Sequence, residues 1–93
     1  MPASVRLGDS SAGHCYEARP NDQGSPNVFI NGIAAHRVGD HWPTHTCGTS
    51  SHDSITAQGS PNVFINGIAA ARIGDELDCG DICAEGSPNV FTN

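Results

Sequence analysis

Residues 24–40, GSPNVFINGIAAHRVGD, return at residues 59–75 as GSPNVFINGIAAARIGD, thirty-five positions later. Only two of the seventeen positions differ, His36 against Ala71 and Val38 against Ile73. A third copy opens at Gly86 as GSPNVFTN and runs to Asn93. Its missing back half stands at the other end of the sequence, where Arg6, Leu7, Gly8 and Asp9 match Arg37-Val38-Gly39-Asp40 and Arg72-Ile73-Gly74-Asp75. Three front halves and three back halves, cut in this way, make a circularly permuted threefold repeat. Such a repeat constrains the fold more than any local propensity, because each unit buries its apolar side only against its neighbours.

Within one unit the run of residues 27–31 is rich in strand formers and is bounded by Pro26 and the pair Asn31-Gly32. Asn-Gly between two apolar runs is a hairpin signal, since both central residues must take positive φ. The return strand is expected over residues 33–38, with Gly39-Asp40 turning the chain out again. Residues 3–7 read as a short strand, and residues 10–23 as a polar loop. Residues 41–58 read as a second loop ending in a short strand at 55–57. The third connection, residues 76–85, is short and acidic, and its Ile82 stands where Ile55 stands in the previous one. Helical periodicity is absent. A hairpin alone cannot bury its apolar face, and three or more strands are required. The expectation is therefore one all-β domain, residues 1–93, of about nine short strands in three small sheets. It is pseudo-threefold and closed by pairing of the N- and C-terminal segments.

The apolar fraction is 37%, with one Trp, one Tyr and three Phe, so the core is thin and a staple is expected. The net charge of −6 argues against a nucleic-acid partner. No stretch approaches a membrane span in length, and residues 1–8 lack the apolar run of a signal peptide. The chain is accordingly expected to be made in the cytoplasm without one. Four cysteines, Cys15, Cys47, Cys79 and Cys83, would allow three disulfide connectivities. Without a secretory signal, and with five histidines present, a metal is the favoured staple.

The connections place the candidate ligands. His52 lies seven residues before Gly59, Cys79 seven before Gly86, and His14 ten before Gly24. Counted from the preceding Gly-Asp turns, His14 and His45 both lie five after the Asp, and Cys79 four after. Each connection thus offers one donor, His14, His52 or Cys79. His45 is the candidate fourth, with Cys47 and His41 as rivals. Three imidazoles and a thiolate make a closed tetrahedral site of the kind that stabilises, with Zn²⁺ the first choice of metal and Fe²⁺ the second. The bland alternative is that these are ordinary solvated loop residues. Cys15 and Cys83 are expected to be free or packed thiols, and His36, an Ala in the other copy, a surface difference.

The G-x-x-A-x-R-[VI]-G-D and G-S-P-N-V-F-[IT]-N segments resemble those of the PAAR-repeat family, the sharp tips of type VI secretion spikes and contractile phage tails. The Pro that names the motif is Ala34 and Ala69 here, and its second Ala is His36 in the first full copy. The resemblance covers essentially the whole chain, so no separate toxin or adaptor domain is expected. It implies a short cone with zinc near the apex, and the family's three His and one Cys fall on His14, His45, His52 and Cys79. The broad base would sit on a trimeric β-helical spike, one tip per trimer, and the tip would pierce the target envelope on contraction. Val28, Phe29, Val63, Phe64, Val90 and Phe91 are the expected base contacts, against the alternative that all are core. A virion tail tip or secretion with the spike is the implied location, with a lean to a phage-type tail. Two further readings differ in class. One is an adaptor that carries effector cargo on the spike non-covalently. The other is a small zinc hydrolase, which would need a water in place of a fourth protein ligand.

Overall fold

The computed structural model describes the chain apart from residues 14–16 and 48–49 and the side chains of His45, Cys47, Ser50 and His52. Among the described residues there is no helix. Six strands pair in three two-stranded antiparallel sheets: β1 (Phe29–Ile30) with β2 (Ile33–Ala34), β3 (His41–Cys47) with β4 (Ser50–Ile55), and β5 (Phe64–Ile65) with β6 (Ile68–Ala69). The two repeat hairpins turn at Asn31-Gly32 and Asn66-Gly67. Their φ values of 56° and 75° recur in both copies, so both central residues of each turn lie in the left-handed region.

The third unit is assembled from the two ends of the chain. Ala3 bridges Phe91, Ser4 N donates to Val90 O at 3.0 Å, and Thr92 N donates to Pro2 O at 2.9 Å. The same bond is made inside the hairpins, by Ala35 N to Val28 O at 2.9 Å and Ala70 N to Val63 O at 3.0 Å.

The three units meet at the residue preceding each Arg. Val5 N donates to Ala71 O, Ala71 N to His36 O, both at 3.1 Å, and His36 N to Val5 O at 3.0 Å. These three residues are 1%, 0% and 0% exposed. A closed ring of backbone bonds therefore runs around the pseudo-threefold axis, and no unit can leave it without breaking two bonds. Around it, bridges Ser4–Arg72, Arg6–Ala35 and Arg37–Ala70 tie each unit to the next. Each Arg also clamps the Asp three residues on. In all three copies the guanidinium bonds both carboxylate oxygens, and the Arg backbone N–H donates to Oδ2. The Asp side chains are buried, and the paired charge holds the Gly-Asp turn closed.

Two apolar clusters complete the core. One holds Ala35, Ile65 and Ala70 with Ile30 against it, under the hairpins. The other holds Val5, Trp42, Ala71, Leu77 and Cys83, with Cys79 against it. The radius of gyration, 12.2 Å, is that of an ordinary folded domain of this length, about 12 Å.

Three expectations are corrected. Among the described residues six strands stand where about nine were expected. Residues 3–7 and the segments before Gly24 and Gly86 contribute single bridges such as Ser11–Cys83 and Glu76–Ile82, because each meets a different neighbour at almost every residue. Residues 41–58 are not a loop with a short strand at 55–57. They form the longest hairpin, β3–β4, with Ile55 ending β4 and Thr56 bridging Leu77. Trp42 and Ser54 are opposite one another and buried, whereas Thr44 and Thr46 face solvent although they share the parity of Trp42, because the register shifts between Trp42 and His45. Pro43 is tolerated because a two-stranded sheet has free edges. Nor is His36 a surface difference: its place in the axial ring buries it completely.

Candidate metal centre and docking face

The candidate ligands sit on connections that the backbone draws together. Ser11 pairs with Cys83, Ala12 N donates to Ile82 O at 3.0 Å, and Gly13 N donates to Asp81 Oδ2 at 3.1 Å. The chain reaching position 14 is thereby fastened to the turn that carries Cys79. That turn is closed by Leu77 N to Asp81 O at 2.8 Å and Gly80 N to Leu77 O at 3.1 Å. Its Asp78 receives Ile55 N on Oδ1 at 3.2 Å and donates its own N–H to Ile55 O at 3.0 Å. The end of β4 therefore lies alongside it.

Of the four expected ligands, His14 lies outside the described residues. His45 and His52 are described in their backbone only, where they are cross-strand partners on one rung of β3–β4. Cys79 is half-buried against the Trp42 cluster, and neither it nor Cys83 is in a disulfide. The donor set fits a structural Zn²⁺ by its chemistry: imidazole nitrogens and one thiolate, in segments fastened side by side. Among the rivals, Cys47 lies two positions beyond His45, and its side chain is outside the described set. His41 is committed elsewhere. Its Nδ1 meets Asp22 Oδ1 at 2.7 Å and its Nε2 meets Asp53 Oδ2 at 3.0 Å, which raises its pKa, Asp53 contributing most. The expectation of a packed thiol holds for Cys83, where burial pushes the pKa up to about 12.

At the hairpin end all six expected base contacts are exposed. Phe29, Phe64 and Phe91 are 58%, 59% and 50% exposed, and Val28, Val63 and Val90 match one another equally closely. A single exposed Phe would be ordinary, but here all three Phe of the chain are exposed at equivalent positions, each beside an exposed Val. The repeated S-P-N holds this face in shape. Ser25 Oγ accepts from Asn27 N and Val28 N at 3.2 and 2.9 Å and donates to Asn66 Oδ1 of the next hairpin at 2.6 Å. Ser87 does the same with Asn89 N, Val90 N and Asn31, and Ser60 reaches the backbone oxygen of Asn93. Asn66 Nδ2 and Asn31 Nδ2 close the links onto Asn27 and Asn89.

Charge separates the two ends. Residues 1–5, 24–36, 59–71 and 86–93 contain no Asp, Glu, Lys or Arg. Once the three Arg–Asp clamps are set aside, Arg19 and every remaining acid lie in the connections 10–23, 41–58 and 76–85. The net −6 is carried there, and the hairpin face presents only apolar and amide groups.

Two hairpins and a third unit built from head and tail, with a triply repeated apolar face, define a pseudo-threefold all-β domain. The chain belongs to the PAAR-motif family, whose model matches residues 21–85. That family is a structural one of spike tips in contractile injection and type VI secretion machines, and its members associate with spike proteins. No curated protein matches the chain.

Proposed function

We propose that the chain is a metal-stabilised tip that caps the trimeric β-helical spike of a contractile injection apparatus, one tip per trimer, and leads it through the target envelope. The observation that carries this reading is the face bearing Phe29, Phe64 and Phe91. Three near-equivalent apolar contacts around one axis suit three identical strand ends, and covering such ends removes an aggregation hazard. Aromatic residues, Phe among them, are enriched at the cores of protein interfaces, where charged residues are depleted.

His14, His45, His52 and Cys79 would hold the metal, Zn²⁺ in the first instance. When bound, it supplies a cross-link among connections far apart in sequence and, with four protein ligands, leaves no position for an activated water. The chemistry asked of this chain is rigidity at the point, not turnover.

Co-purification with a trimeric spike fragment tests the docking face. The expected result is a complex of one chain per trimer that is lost in the Phe29→Ser, Phe64→Ser, Phe91→Ser triple variant, whose side chains leave solvent rather than core. Retained binding by that variant, in a folded state, would sink the assignment of this face. Metal analysis of the same complex tests the second half: about one zinc per tip is expected, falling when Cys79→Ser is introduced.

A further inference from the structure

One side chain joins two of the connections to the axis directly and the third through a shared hydroxyl. His36 Nδ1 lies 2.8 Å from Gln23 O, at the end of the first connection, and a carbonyl can only accept, so Nδ1 carries the proton. Burial opposes a second proton and lowers the pKa of this imidazole, which leaves Nε2 an acceptor. It takes the Thr56 hydroxyl proton across 2.7 Å, and the same hydroxyl oxygen receives Trp42 Nε1–H at 2.8 Å. Trp42 and Thr56 belong to the second connection. The Cys83 thiol of the third lies beside the same hydroxyl. The Trp42 ring also meets the imidazole edge-on, with centroids 5.4 Å apart.

From this hub the links run to the segments that carry the candidate ligands. Thr56 bridges Leu77, two residues before Cys79, and Trp42 lies in the cluster against which Cys79 packs. Thr56 also accepts Gly39 N at 2.8 Å, which sets where β4 leaves the hairpin carrying His45 and His52. The equivalent axial places hold Val5 and Ala71, which have no side-chain polar atom. A buried imidazole on an otherwise apolar axis is tolerated only because each of its nitrogens is matched.

We propose that His36 is a positioning residue for the metal centre: it holds the three ligand-bearing connections in register before the ion binds. The inference rests on the metal reading above and concerns a residue that would not touch the ion. A side chain that orients ligands without touching the metal changes affinity by about 10–100-fold when removed.

Zinc affinity, measured by competition with a chromophoric chelator, is compared in wild type, His36→Ala, His36→Gln and Thr56→Val. Amide exchange is followed in the same proteins without metal. The expected result is a loss of zinc affinity of about tenfold or more in His36→Ala. Exchange at Gly39, Thr56 and Ala57 should quicken in the metal-free chain, while Ala35 and Ala70 in the hairpins stay protected. Gln, which offers one donor and one acceptor, should restore much of both. Should His36→Ala fail to fold, Thr56→Val keeps the shape, removes the hydroxyl and is expected to show the same two changes. Wild-type zinc affinity in folded His36→Ala or Thr56→Val overturns the role of His36. A wild-type protein that takes up no zinc overturns the metal reading itself, which is a different result.

Discussion

At the scale of single residues, identical neighbours do not imply identical burdens. His36 and Ala71 follow the same twelve-residue run, yet one anchors a polar network and the other only fills space. Nothing in the local sequence marks the difference, because His36 acquires its partners from Gln23, Trp42 and Thr56 through the threefold closure. The same closure decides which residues before each Gly are inside: Ile55 and Ile82 face solvent, and Thr56 and Cys83 behind them are buried. A reading that ranks residues by hydropathy alone inverts that pair. His36 and His41 should also leave opposite signatures in the pH dependence of stability. Burial lowers the folded pKa of His36, so the unfolded chain binds the proton more readily. Its contribution is full above about 6.5 and is lost as pH falls toward the depressed folded value. His41, held by Asp53 and Asp22, is raised instead, so its contribution is present below about 6.5 and is lost as pH climbs through the folded value. Exposure screens the second effect, and the first dominates. Denaturation midpoints at matched zinc saturation should therefore fall less steeply between pH 7 and 5 in His36→Gln than in wild type. Parallel curves would show that His36 is not the titrating group.

At the scale of elements, the repeat hairpins were legible because turn chemistry and strand composition agree at Asn31-Gly32 and Asn66-Gly67. The β3–β4 hairpin was not. Its histidines, threonines and serines resemble a ligand loop, and a bulge between Trp42 and His45 puts Trp42 on the opposite face from Thr44 and Thr46, which hides the two-residue period. The glycine that opens each repeat was visible only as a letter in a motif. Its reason is packing, since its backbone lies against the return segment of its own repeat. A Cβ on Gly59 would stand 2.6 Å from Val38 Cγ2 and 2.9 Å from Ala70 O, and one on Gly86 would stand 2.7 Å from Ser4 O. At Gly24 the nearest atoms are Ala34 Cβ and Ala35 O, both at 3.0 Å. Val38 can rotate away, but a carbonyl in the axial lattice cannot. Gly86→Ala should thus cost about 1–3 kcal/mol by overpacking, and Gly24→Ala less. Urea midpoints at constant m-value would check this order. A Gly86→Ala protein as stable as wild type would mean that the seam between head and tail yields easily.

At the scale of the whole molecule, the pseudo-threefold plan was legible in full, because the order of half-repeats already states which segment completes which. Two unlike ends were expected from the family resemblance, and what the letters could not convey is how differently the two are held together. The hairpin end carries its own closure in the axial backbone ring, the Ser–Asn links and the Arg–Asp clamps, none of which needs an ion. The end with the connections has short bridges, every acid outside the Arg–Asp clamps and the four candidate ligands, so it has the greater need of a staple. Removing the metal should therefore not unfold the domain uniformly. Chelation is expected to lower the melting temperature markedly, because zinc that binds only the folded chain adds its binding free energy to stability. In the same chelated protein the amides of Val5, His36 and Ala71 should remain protected while those of Gly13, Ile55 and Leu77 exchange faster, and added Zn²⁺ should reverse both changes. Two outcomes oppose this account in different ways. An unchanged melting temperature would remove the metal from the stability of the fold. A uniform loss of protection, the axial ring included, would show that the hairpin cap cannot stand without its point.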